Sequence, residues 1–177
     1  MILILGIPIL LIIIMAVYIV GPWLAILLGI QLEPNPLRPE VTYGEFPFRL
    51  EYEVNGQRMV VEDTLICEYD GIGADEGRGK YRKWKERLAS GHERVTLRKV
   101  DETKEIYYSP GSASYYMDDL ENSIEYQHGY PDALIIEKED RITSNRLIRA
   151  DQLLKEYNIK LISWEASQPI RNNFSKK

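Results

Sequence analysis

The sequence predicts an α+β protein, with one N-terminal transmembrane helix followed by a mostly antiparallel sheet domain with two short helices. Three observations carry that expectation. The first charged residue is Glu33, so residues 1–32 form an uncharged run, and all 22 basic and 27 acidic residues lie beyond it. Apolar and polar residues alternate on both sides of Asn55-Gly56. Helical apolar spacing is confined to two short stretches, 80–89 and 146–157.

The run MILILGIPILLIIIMAVYIVGPWLAILLGIQL is long enough to cross a bilayer, for which roughly 20 apolar residues suffice. Pro8 sits near its start, where a missing N–H costs little, and Gly21-Pro22 is expected to kink or end the helix. The reading is an uncleaved signal anchor rather than a cleaved signal peptide. No basic residue precedes the run, the apolar stretch is long, and no A-x-A pattern closes it. Arg38 and Arg49 follow the span and none precedes it, a two-to-zero count that by itself favours a cytoplasmic C-terminus. A chain with almost no N-terminal tail can equally translocate its domain as a signal anchor.

Residues 33–42 follow, opening with EPNPLRPE, whose three prolines predict a stiff spacer between the 1–32 anchor and the 43–166 domain. Phe48, Leu50, Tyr52 and Val54 alternate with charged residues before Asn55-Gly56, a type I′ turn pair. The implied register sets Val54 opposite Gln57, Tyr52 opposite Met59 and Leu50 opposite Val61, which keeps the apolar faces together. Cys67 falls on the returning strand as a small buried hydrophobe, and as a lone cysteine it forms no intramolecular disulfide.

A glycine-rich loop is predicted over Asp70–Lys80, then a short basic helix over Lys80–Ala89 with Tyr81, Trp84 and Leu88 on one face. The loop is no Walker A sequence, because Ala74 stands where a glycine is needed and Tyr81 where a serine or threonine is needed. It is no dinucleotide fingerprint either, with Glu76 at the third glycine position. Strands are predicted over 94–100, 105–108 and 133–137, a helix over 146–157 ending at Asn158, and a last strand over 159–165. That tail suggests one right-handed crossover, with an irregular C-terminal segment over 167–177.

The sequence contains no catalytic motif, no metal-ligand spacing and no cofactor signature. His92 and His128 both lie in polar, loop-like contexts. Asp70 and Asp75 could touch a ligand, and Lys80, Arg82 and Lys83 could meet an anion or lipid headgroup. The other candidate surface is a tyrosine-rich stretch, Tyr107, Tyr108, Tyr115, Tyr116, Tyr126 and Tyr130, around Ser109–Ser114 and followed by Asp118. Tyrosine combines apolar area with a polar tip, so Tyr107, Tyr115, Tyr116 and Asp118 join the candidate ligand residues. A ligand face would lie between this stretch and the glycine loop. The net charge of −5 argues against nucleic acid as a partner.

The phrases EFPFRLEYEVNGQRMVVEDTLICEYDG, SASYYMDD, ALIIEK and KLISWE, spread over Tyr43–Trp164, resemble a family of small, uncharacterised membrane-anchored proteins of Gram-positive bacteria. Members of that family usually begin with basic residues before the anchor, and this chain does not. The resemblance implies a single-pass bacterial membrane protein whose domain faces outward, and it carries over no catalytic residue. The expected function is therefore an extracytoplasmic binding or accessory module, with the bilayer as one partner and an envelope protein or small ligand as another. The alternatives are an anchored hydrolase-like enzyme with carboxylates assembled in space, or a cytoplasm-facing domain whose basic residues touch anionic lipid.

Overall fold

The computed structural model describes residues 2–120, 132–139 and 142–175. Its elements in order are α1 (Ile2–Leu32), β1 (Arg38–Pro39), β2 (Tyr43–Val54), β3 (Gln57–Asp75), β4 (Gly79–Leu88), β5 (Val95–Lys99) and β6 (Lys104–Ser109). There follow α2 (Ala113–Tyr116), β7 (Asp132–Glu139), β8 (Ile142–Ile148), α3 (Ala150–Tyr157), β9 (Ile159–Ala166) and β10 (Phe174–Ser175). The fold is α+β. It comprises two compact units, one joining the chain up to Arg38 with Asp70–Lys83, the other joining Pro39–Tyr69 with the chain from Trp84 onward.

In the first unit, α1 runs through Gly21-Pro22 as one helix. Its stretch Ile13–Leu32 is long and apolar enough to cross a membrane, and none of it is buried. A helix that is apolar all round has no face with which to choose a protein partner, which is the pattern of a lipid-facing segment or a signal sequence.

The strands form two four-stranded sheets, ordered β4-β3-β2-β9 and β5-β6-β7-β8, of which only the end of β3 and the start of β4 fall in the first unit, and every described pairing within them is antiparallel. Phe46, Phe48, Leu50 and Tyr52 alternate along β2 onto one face, where Leu65 and Cys67 of β3 join them. Val95, Ile106, Tyr108, Ala133, Ile135 and Ile148 line the matching face of the second sheet. One core joins the two, and Phe48, Tyr108 and Trp164 meet in it with ring centroids 5.0–6.5 Å apart. Cys67 is fully buried, and burial, with the Glu86 charge adding to it, pushes its thiol up to about 12.

The β2–β3 register is the one the turn dictates: Val54↔Gln57, Tyr52↔Met59 and Leu50↔Val61. Asn55 and Gly56 have φ of 52° and 82°, as a type I′ turn requires. The strands expected over 94–100, 105–108, 133–137 and 159–165 are also present, as β5, β6, β7 and β9.

Four expectations are corrected. Residues 80–89 are not a helix but belong to β4, which pairs with β3. Trp84 and Leu88 are four apart, a spacing that shares a face in either geometry, so only Tyr81 separated the two readings. The glycines of 70–80 accordingly continue a hairpin rather than form a loop. Its turn is closed by the Asp75 carboxylate, which accepts from the Gly77 and Arg78 amides at 3.0 and 2.8 Å.

The helix expected over 146–157 covers only Ala150–Tyr157, because 146–148 complete β8. Leu153 is its buried residue, while Leu154 is 47% exposed. Asn158 ends it at φ 53° as expected. The crossover is absent, since β8 and β9 lie in different sheets and α3 links them. The C-terminal segment has no helix or strand over 167–173, with β10 after it, and hydrogen bonds hold it in place. Buried Asn172 exchanges hydrogen bonds with the Val41 backbone at 3.0 and 2.9 Å, and the Ile170 amide donates to Tyr116 O at 3.0 Å.

On the opposite face of β2, Arg49 lies between Glu62 of β3 and Glu165 of β9, at 3.0 and 3.9 Å. Arg49 and Arg58 both pair with the buried carboxylate of Glu51, holding it below the ordinary glutamate value. Depression of the folded value means that this contribution is complete above the ordinary pKa of 4.5 and is lost as pH falls through the lower folded value.

Two outcomes follow for the full chain in detergent. Gly56→Val destabilises the β unit by about 1–2 kcal/mol, since a β-branched residue resists positive φ; chemical denaturation measures it. Glu51→Gln lowers Tm at neutral pH, and the gap from the parent narrows as pH drops below 4.5. A gap that stays constant down the acid limb would contradict the assignment.

Candidate functional site

The hairpin formed by β3 and β4 ends in the unit that contains α1. The helix leaves its last carbonyls without intrahelical partners, and a lysine near that end can supply donors. Lys80 does so from β4: its ammonium donates to Gln31 O at 3.1 Å and Glu33 O at 2.8 Å. Its backbone N–H donates to the Glu33 carboxylate at 3.0 Å. Gly79 makes the approach possible. It has φ 72°, and any Cβ there would overlap the Glu33 carboxylate.

Arg82 donates to Leu37 O at 3.5 Å. Lys83 pairs with Asp70 at 2.6 Å, which holds the ammonium pKa above the ordinary lysine value. Arg78 pairs with Asp75 at 2.8 Å and lies over the Tyr81 ring at 3.8 Å.

Lys80, Arg82 and Lys83, expected as anion contacts, thus direct donors at backbone carbonyls and a carboxylate of their own unit. Asp70 and Asp75, expected as ligand contacts, hold a cation and close a turn. Among the described residues no group of three His, Cys, Asp or Glu side chains is placed to hold a metal.

The tyrosine-rich stretch belongs to the other unit, where the structure divides it. Tyr107 lies near the Arg94 guanidinium, 5.1 Å from ring to charge, and lines a 220 Å³ cleft with Glu86, Arg87 and Glu93. Tyr115 and Tyr116 are set by α2, where Ser112 Oγ accepts from the Tyr115 amide at 3.3 Å. Tyr116 is structural: buried, its hydroxyl donates to Pro110 O at 2.9 Å, its ring lies 4.7 Å from Phe46, and burial pushes the phenol up to about 12. Tyr115 is half-buried and borders a 390 Å³ recess with Trp164, Glu165, Ser167 and Gln168.

Asp118, at φ 54°, accepts from the Asn172 amide at 3.4 Å and so helps tie down the C-terminal segment. Tyr126, Tyr130 and His128 lie outside the described residues. A larger recess, of 710 Å³, is lined by charges of both signs such as Lys99, Glu105 and Lys138. The recess beside Tyr115 sets two aromatic rings, Tyr115 and Trp164, next to the Gln168 amide and the Glu165 carboxylate.

Several contributors were not legible as site residues. Trp164 and Gln168 come to line one recess with Tyr115 only through the tertiary fold. Asp119 is buried and accepts from the Trp84 indole N–H at 2.6 Å, while Tyr69 stacks edge-on against the same indole at 5.5 Å. The Lys80–Glu33 contact spans 47 residues and has no local signal.

No protein-family model, no curated protein and no solved structure matches the chain.

The Trp84–Asp119 bond yields a direct test. Trp84→Phe keeps the aromatic contact and removes the donor, which should cost about 1–3 kcal/mol because a buried hydrogen bond is lost. Denaturation of the variant and the parent under identical conditions measures it.

Proposed function

We propose that this protein is a single-span membrane protein whose α+β domain acts outside the cytoplasm as a binding or accessory module. The observation that supports retention of α1 is the seating of its end: the Gln31 and Glu33 carbonyls are taken up by Lys80 from a folded hairpin. A cleaved leader has no need of such a partner. The lack of any buried residue in Ile13–Leu32 supports lipid as its surroundings. The binding surface is the shelf around Tyr115 and Trp164, suited to a small ligand or a peptide segment of another envelope protein, because aromatic area beside an amide and a carboxylate gives contact with direction. Membership of the Gram-positive membrane-anchored family is part of the same proposal and rests on the phrases spread over Tyr43–Trp164.

Protease added to intact cells tests the orientation. Digestion of the domain from outside, with α1 left in the membrane, is the expected result. Protection in intact cells, with digestion only after lysis, would place the domain in the cytoplasm.

A further inference from the structure

We propose that the tip of the β3–β4 hairpin, Asp70–Lys83, rests in the phospholipid headgroup layer, seated by Ile72 and Tyr81 rather than held by charge. This rests on the reading of α1 as a membrane span. The contacts of Lys80 set the depth. Its ammonium is bonded to the carbonyls of residues 31 and 33, which bracket Leu32, the last apolar residue of the span. A helix rises 1.5 Å per residue, so Lys80 sits within about one turn of the level at which the chain leaves hydrocarbon. Ile72 is 44% exposed in the same unit. Tyr81, with Arg78 over its ring, has the amphipathic character that favours the membrane–water boundary.

Charge does not supply the attraction. Glu33, Asp70, Asp75 and Glu76 balance Arg78, Lys80, Arg82 and Lys83. The Lys83–Asp70 and Arg78–Asp75 pairs turn those charges toward each other. A neutral, internally paired surface gains little from an anionic leaflet, whereas an exposed isoleucine and a tyrosine gain from the headgroup boundary in any phospholipid.

The test uses the full chain reconstituted in vesicles, with an environment-sensitive fluorophore on Ile72→Cys or, separately, on Leu28→Cys. Native Cys67 is fully buried and does not compete for the label. Quenchers are lipids carrying a spin label near the headgroup or deep in the chain. Expected is quenching of the position-72 label by the shallow quencher, equally in phosphatidylcholine alone and in a mixture with phosphatidylglycerol, with the position-28 label quenched by the deep one. A water-like, unquenched position-72 label beside a quenched position-28 label would overturn the proposal and leave the membrane span standing. Loss of quenching at both positions would overturn the span as well.

Quenching at position 72 that appears only with phosphatidylglycerol would replace this proposal with a charge-held anionic-lipid site. Lys80→Met in the position-72 background should weaken shallow quenching, because the tip loses its bonds to the helix end. Unchanged quenching would show that Lys80 does not set the depth.

Discussion

A helix with no charged side chain and an apolar surface all round favours an apolar solvent, and the proposed membrane location depends on that constraint. Within Ile13–Leu32, 11 residues are Ile, Leu or Val. At the insertion value of each in a helix centre, they favour the bilayer by about 3–7 kcal/mol. Among the described residues, the core of the β unit is built from its own side chains, Phe48, Leu50, Ile106, Tyr108 and Ile135 among them. The proposed membrane location thus follows from what α1 is, while the binding role rests on what the β unit presents.

The bonds between Lys80 and the end of α1 give the hairpin a role beyond sheet edge. A strand terminus supplies the donors that the last helical turn lacks, and Glu33 returns an acceptor to the Lys80 amide. In the proposed arrangement the tip cannot drift freely from the bilayer surface, because two carbonyls and a carboxylate hold it at the exit point. Along residues 33–42, Leu37 O accepts from Arg82 within the first unit, while Pro39 is buried and Val41 is held by Asn172 within the second.

Where structure follows from local chemistry, it was readable. Asn55-Gly56 fixes a two-residue turn, and period-two alternation then fixes the register of β2 on β3. The uncharged run announces α1, and the apolar run Ala133–Ile136 announces β7. The misreading of β4 has a specific cause, since the spacing of Trp84 and Leu88 satisfies both periods and the flanking basic residues are neutral between them. The candidate site was legible only in part. Tyrosine clustering marked Tyr115, but Tyr116 proved to be core, and the partners Trp164 and Gln168 arrive from β9 and the segment after it. Lys80, Lys83 and Arg82 looked available to anions because nothing local reveals that Asp70 and the backbone of residues 31–37 stand beside them.

Retention of α1 in lipid is tested most directly by the intact mass of the native protein recovered from carbonate-washed membranes. A membrane-bound species whose mass retains Met1–Leu32 is the result this account predicts. A species released by carbonate, or one trimmed of that segment, would contradict it.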